Sequence, residues 1–183
     1  MSVRNAFSKG HMRLMAGALL ILGAACTHHS PEQAANKATL DLELRTMAIH
    51  EANAKRARGV RVWCVPFART ASGVEIRGNA NTWWAKAAGT FERQNKPTVG
   101  AVMAFAATSG MPMGHVAVVS QHISEREIRI DHANWHRNKV SLGMGVIDVS
   151  DHNDWSRVRV ETNPGQYGKT YPINGFILPQ SDV

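Results

Sequence analysis

One cysteine stands where an extended apolar segment turns into a helix. Cys64 follows Val62 and Trp63, and Pro66 falls in the first turn of the helix that the next residues predict. A thiol at a helix N-terminus faces unpaired N–H groups and the positive end of the helix dipole, which favour the thiolate and lower its pKa. This position indicates a nucleophile. The alternative is a small buried core residue, which describes most free cysteines.

A nucleophilic thiol needs a base, and histidine is the side chain that titrates nearest to neutral pH. His115 begins an apolar strand pattern directly after Gly114. In the next strand pattern His132 and Asn134 take inward positions that would otherwise be aliphatic, since alternate side chains share a face. Either residue could hold the second imidazole nitrogen of His115. A buried structural pair is the alternative, and Asp131 is the next candidate for the orienting group.

Helices followed by strands must position these residues. A helix is predicted over residues 64–72 with Gly73 as its stop, and residues 78–93 predict a second short helix. Strand patterns follow at residues 98–107, 114–123, 126–135, 139–149, 157–162 and 174–179. This order predicts an α+β fold in which N-terminal helices pack on a curled antiparallel sheet.

The N-terminal residues have the pattern of an export signal. Three basic residues precede the uncharged run LMAGALLILGAAC, which is too short to anchor the chain across a bilayer. Residues 1–26 are therefore predicted to be a signal peptide. The small residues before Cys26 resemble a bacterial lipobox, in which this cysteine receives a lipid that anchors the protein to a membrane. Ordinary cleavage near Ala25 is the alternative, and after lipidation Thr27 would favour delivery to the outer membrane.

Length and charge limit what the remaining chain can be. The 183 residues suit one domain, with a tether and a loosely packed helix predicted over residues 27–59 and the folded domain over residues 60–183. Loss of the signal peptide lowers the formal charge from +7 to about +4, which fits an anionic cell envelope. The basic residues are scattered, so no nucleic-acid partner is predicted. Because one of the two cysteines is Cys26, Cys64 has no disulfide partner.

The ordered set of these segments resembles the CHAP domain, a family of cysteine, histidine-dependent amidohydrolases and peptidases related to NlpC/P60 enzymes. The resemblance lies in the segments CVPFARTASGVEIRGNANTWW, PTVGAVMAF, MGHVAVV, IRIDHANW and YPINGFILP. It implies a papain-like fold in which Cys64 is the nucleophile and His115 is the base. It also implies amide bonds of peptidoglycan as the substrate, and the chemistry requires no cofactor.

The resemblance also bears on the third polar residue. Many CHAP domains carry Glu and, two residues later, Asn on this strand, and here His132 and Asn134 stand at those positions. We therefore assign the hydrogen bond to the imidazole to His132 and a supporting role to Asn134. The reverse arrangement, as in papain-like proteases, is the alternative. Because Trp63 stands where many relatives have Gln, the backbone N–H of Cys64 is the candidate donor to the oxyanion.

A zinc hydrolase is a rival interpretation of the same residues. It would use Cys64, His115 and His132 as ligands, but no close pair has a recognised ligand spacing, so no metal site is predicted.

Two further rivals concern the cell wall. A non-catalytic wall-binding module would line a glycan groove with Trp83, Trp84 and Trp135, although core packing explains these residues better. A secreted effector would attack a competitor's wall. We predict instead an exported enzyme of the periplasm or cell envelope that cleaves peptidoglycan as an amidase or an endopeptidase.

Overall fold

The computed structural model describes residues 40–180. The predicted signal peptide and Cys26 lie outside these residues. Helices α1 (Leu42–Ala57) and α2 (Cys64–Ser72) come first, and a 3-10 turn at Ala80–Thr82 leads into the short helix α3 (Trp83–Lys86). Within residues 40–180, none of the helices has the length and apolar character needed to cross a membrane.

Between residues 40 and 180, seven strands follow the helices, and six of them close into a barrel. They are β1 (Arg93–Gln94), β2 (Val102–Phe105), β3 (His115–Ser124), β4 (Glu127–Ala133), β5 (Val140–Asp148), β6 (Arg157–Asn163) and β7 (Gln166–Ile177). All pairs are antiparallel in the order β1-β7-β2-β3-β4-β5-β6, and β7 also pairs with β6. The predicted α+β class is confirmed, and the predicted sheet curls far enough to close on itself.

Both faces of the central strands are buried, since helices cover the outside of the barrel and side chains fill its inside. Alternate residues of β2 show this division: Val102 and Ala104 pack under the helices, whereas Met103 and Phe105 point into the barrel. The same alternation continues through β3 and β4. The amino-acid sequences of these strands are therefore nearly continuous apolar runs.

Helix α1 joins the folded unit through its inner face. Its first turn is capped by Asp41, whose carboxylate accepts hydrogen bonds from the backbone N–H groups of Glu43 and Leu44. Ala48 and Ala52 are buried in the core layer that α2 and the sheet share. Within the segment interpreted as a tether, residues 42–57 thus form part of the packed structure.

Candidate active site

The candidate nucleophile and base line one groove with a volume of about 850 Å³. Cys64 and His115 both face this groove, and Asn134 also contributes to its wall. His132 lies behind the wall and is fully buried. The groove opens where the N-terminus of α2 meets the start of β3, so two separate elements bring the thiol and the imidazole to the same place.

Cys64 is the first residue of α2, as the sequence predicted, but its ionisation differs from the prediction. Burial raises the pKa of the Cys64 thiol, and hydrogen bonds from the backbone N–H groups of Val116, Val65 and Cys64 itself only partly oppose that shift. The expected lowering of the thiol pKa is therefore wrong for this structure. The helix N-terminus does supply N–H donors, but removal of the thiolate from water costs more than they return.

His115 owes its position to the glycine before it. Gly114 has φ +65°, and a Cβ on this residue would come within 2.8 Å of the backbone nitrogen of Asn81. That nitrogen donates to the carbonyl oxygen of Met113 at 2.8 Å. Only glycine fits such a close approach with a left-handed backbone, so the turn that delivers His115 to the groove depends on Gly114.

The imidazoles of His115 and His132 contact each other directly. His115 Nε2 lies 3.0 Å from His132 Nδ1, and both side chains are buried. Burial lowers the pKa of His115 to about 3 and is also the main cause that lowers the pKa of His132, to which the neighbouring His115 adds. Both rings are therefore neutral at neutral pH. The aromatic rings of Phe105 and Trp135 pack against His115 with centroid distances of 5.5 and 5.0 Å.

Asn134 does not follow the strand alternation that the sequence suggested. It lies just beyond the end of β4 with φ +63°, and this left-handed backbone turns its side chain away from the direction that alternation with His132 requires. Its Oδ1 accepts hydrogen bonds from Asn138 N at 2.9 Å and from Arg61 Nε at 3.3 Å. Asn134 therefore braces the loop at the rim of the groove.

The segment that contains the candidate site residues matches the model of a protein family. Residues 55–134 match the model of the CHAP domain. This segment of the chain is similar to the CHAP domain. The resemblance noted in the sequence is confirmed, and the match indicates an amide-bond hydrolase with peptidoglycan as its substrate. No curated protein matches the chain. The matched segment contains Cys64, His115, His132 and Asn134.

The groove has further lining residues that the sequence did not indicate. Trp63 and Met113 are each about half exposed at its edge. Arg61 places its guanidinium 4.1 Å from the centre of the Trp63 ring, and Lys169 lies over the ring of Tyr171. Arg61 and Trp63 lie within three residues of Cys64, the candidate nucleophile, which was a usable signal. Tyr171 and Lys169 come from β7, whose first half carried no clear strand pattern.

Only one of the three tryptophans considered for a glycan groove lies there. Trp135 lines the groove, whereas Trp83 is fully buried in the core beneath the helices. Trp84 packs on the same core, with the Arg93 guanidinium 4.8 Å from the centre of its ring. Core packing thus accounts for two of the three.

The three residues of the rival zinc interpretation are not grouped as a ligand set in the part of the chain that the structure describes. Within residues 40–180, no three His, Cys, Asp or Glu side chains are grouped so that they could hold a metal ion. The nitrogen atoms through which His115 and His132 meet are engaged with each other.

Proposed function

We propose that this protein is an exported cysteine amidohydrolase or peptidase that cleaves amide bonds of peptidoglycan. One observation carries the proposal: Cys64 and His115 line the same groove, and His132 contacts His115 from the buried side. This arrangement supplies a nucleophile, a base in the same groove and a group that orients the base, which are the three groups that acyl transfer to a thiol uses. The CHAP match and the helix-on-sheet layout support a papain-like fold related to NlpC/P60 enzymes.

The pKa shifts favour a reaction that starts from two neutral groups. A partly buried thiol with a raised pKa and a buried imidazole with a lowered pKa favour the neutral forms of both groups over an ion pair before substrate binds. The thiol proton therefore moves to His115 as the sulfur attacks the carbonyl carbon. His115 Nε2 is engaged with His132, so the other ring nitrogen, Nδ1, accepts that proton.

The remaining steps protonate the leaving amine and regenerate the free thiol. The attack forms a C–S bond and an oxyanion, which the backbone N–H of Cys64 can stabilise at the start of α2. The C–N bond then breaks as His115 gives its proton to the leaving amine. A water molecule, deprotonated by His115, attacks the thioester, and release of the carboxylic acid restores the thiol.

The charge of the groove suits the stem peptides of peptidoglycan, which carry free carboxylates. Two cations, Arg61 and Lys169, lie on its walls, and its lining residues within the described chain include no Asp or Glu. Exposed apolar surface on Trp63 and Met113 is available to pack against the neutral atoms of a bound peptide. A carboxylate-bearing acyl donor thus meets opposite charge on entry, whereas a cationic peptide meets like charge.

Replacement of the nucleophile tests the proposed function. Cys64→Ala should lower the rate of peptide release from purified sacculi by a factor on the order of 10⁴ or more, because no other group in the groove can form the thioester. The melting temperature should stay close to that of the native protein. A thiol alkylator should inactivate the native enzyme and a chelator should not.

The products and the controls decide between the remaining functions. Mass analysis of the released muropeptides identifies the bond that is cut and so distinguishes an amidase from an endopeptidase. Residual cleavage by Cys64→Ala would reject the nucleophile. Binding of native protein to sacculi without any cleavage would favour a wall-binding module, and chelator-sensitive activity restored by zinc would favour a metal enzyme.

The export and lipid anchor belong to the same proposal and rest on the sequence of residues 1–26. Cys26→Ser should move the protein from the membrane fraction to the soluble fraction of the cell envelope, because the acceptor of the lipid is lost. Fractionation followed by immunoblotting measures this shift. Membrane association that persists in the variant would contradict lipidation at Cys26.

A further inference from the structure

A methionine lies at the far end of the histidine pair. Met144 is in β5, and its Sδ lies 3.2 Å from His132 Nε2, on the opposite side of the ring from His115. The backbone beside it is fixed by a bulge, since the register between β4 and β5 shifts there and Gly143 has φ +63°. Gly143 N donates to the buried Asp131 carboxylate at 2.7 Å. Met144 is thus held in register against β4.

The chemistry of a thioether determines which way the hydrogen bonds run. A thioether sulfur has lone pairs and no hydrogen to donate, so it can only accept. His132 Nε2 must therefore carry the hydrogen in that contact, and in a neutral ring Nδ1 then has the lone pair. Nδ1 of His132 accepts from Nε2–H of His115, and Nδ1 of His115 is left without a hydrogen.

The opposite direction is unfavourable at both ends. If His132 Nδ1 donated to His115 Nε2, a lone pair on His132 Nε2 would face the lone pairs of the Met144 sulfur. His115 Nδ1 would then carry a hydrogen and could not act as a base. Both rings are buried, so water cannot easily repair the lost hydrogen bond.

We propose that Met144 is a positioning residue that fixes the tautomers of His132 and His115 and so keeps His115 Nδ1 ready to accept a proton. The tautomers exist without substrate, so their assignment does not depend on the proposed function. Only the role of the His115 Nδ1 lone pair as a proton acceptor rests on it. A neutral acceptor suits this task. A carboxylate in its place would stabilise imidazolium on His132 and draw the pair away from the neutral state.

Nitrogen NMR tests the tautomers directly in the native protein. With ¹⁵N-labelled histidine, long-range ¹H–¹⁵N spectra distinguish protonated from unprotonated ring nitrogens. Both His132 and His115 should be protonated at Nε2 and unprotonated at Nδ1. Protonation of either residue at Nδ1 in the neutral native protein would overturn the proposal, and this readout needs neither activity nor a variant.

Three variants separate hydrogen bonding from packing. Met144→Leu keeps an apolar side chain but removes the acceptor, so a second His115 tautomer should appear and kcat should fall by about tenfold or more with little change in KM. Met144→Gln offers an amide oxygen to His132 Nε2–H and should recover most of kcat. Met103→Leu, in the barrel core outside this contact network, is the matched control and should leave the tautomers unchanged.

The outcomes also separate this proposal from the proposed function. Native tautomers retained in Met144→Leu, with unchanged kcat, would overturn the role of Met144 even if the protein is a hydrolase. A tautomer shift in Met144→Leu that Met144→Gln reverses would support the positioning role even in a protein that proved inactive on peptidoglycan.

Discussion

Two neighbouring residues of β4 are buried on opposite faces of the same sheet and are partnered in opposite ways. Asp131 and His132 are both fully buried. Asp131 faces the helices, where it accepts from Arg45 Nε at 2.5 Å and from Gly143 N at 2.7 Å. His132 faces into the barrel, where its two ring nitrogens contact the neutral His115 and the thioether of Met144.

The difference shows how one strand can serve structure on one face and chemistry on the other. A buried carboxylate is tolerable only with strong donors, and those donors tie α1 and β5 to β4. A proton-transfer group needs the reverse, because a strong charged partner would fix its protonation state. In the proposed mechanism, the weak, neutral contacts of His132 orient the imidazole of His115 without fixing its charge.

For the two faces of β4, the largest expected effect on turnover comes from replacement of His132, the residue that faces the inside of the barrel. His132→Ala removes the ring that contacts His115 and, under the proposed function, should lower turnover on sacculi by about 100-fold or more, measured at a temperature where the variant is folded. His132→Gln should recover part of that loss, because Gln Oε1 can accept from His115 Nε2–H. Initial rates with thermal melting of each variant give the comparison.

Asn134→Ala is the matched control on the same segment. Its side chain braces the Asn138 loop and contacts Arg61, so its loss should cost less turnover than the loss of His132. A larger effect at Asn134 would reverse the two roles. Small effects at both would mean that neither residue orients the base.

Loss of the cation that pairs with Asp131, the residue that faces the helices, should lower stability and leave turnover nearly unchanged. Arg45→Ala leaves the Asp131 carboxylate buried without its cation and should lower the free energy of unfolding by about 3 kcal/mol, near the lower end of the range for broken buried pairs because Arg45 is partly exposed. Urea unfolding at neutral pH measures the change. Turnover per folded molecule should stay close to the native value.

Arg56→Ala provides the control for Arg45 on the same helix. Arg56 is exposed in the last turn of α1, so its removal should change the unfolding free energy by less than about 1 kcal/mol. Equal losses for both arginines would show that helix propensity, and not the Asp131 pair, explains the effect. A large loss of turnover in Arg45→Ala would contradict the division of β4 into a structural face toward the helices and a catalytic face toward the barrel.

The sequence predicted some parts of the site well because local rules determine them. Helix α2 spans the predicted residues, since Pro66 suits its first turn and Gly73 adopts the left-handed φ of +72° that ends it. Alternation correctly put His115 with Ala117 and Val119, all on the barrel side of β3. These features depend on a few adjacent residues and on the period of a strand.

Other parts depend on contacts between distant segments and carried no local signal. Asn134 leaves the strand direction because its backbone is left-handed, and the bulge at Gly143 sets Met144 beside His132. The part of β7 before Ile173 contains Gly168, Lys169 and Pro172, and no strand was predicted there, yet it closes the barrel by pairing with β6. The thiol pKa follows from burial, which a pattern of residue types does not reveal.

The last expected effect is a pH dependence of stability that belongs to the barrel face. Burial lowers the pKa of His115 to about 3 and also lowers that of His132, whereas histidine in an unfolded chain titrates near 6.5. Between these values the unfolded chain binds more protons than the folded one, so stability should fall as the pH is lowered from about 6.5 toward 3. Each histidine contributes at most about 1.4 kcal/mol per pH unit.

Histidine variants assign this acid sensitivity to the buried pair. Urea unfolding of the native protein and of His132→Gln at pH 7 and at pH 5 measures the slope, and the variant should lose less stability over this interval because one of the two neutral rings is gone. His122→Gln, at an exposed position of β3, should keep the native slope. If the His132 variant loses stability as steeply as the native protein, other groups carry the acid sensitivity, and the barrel face does not hold its histidines neutral against protonation.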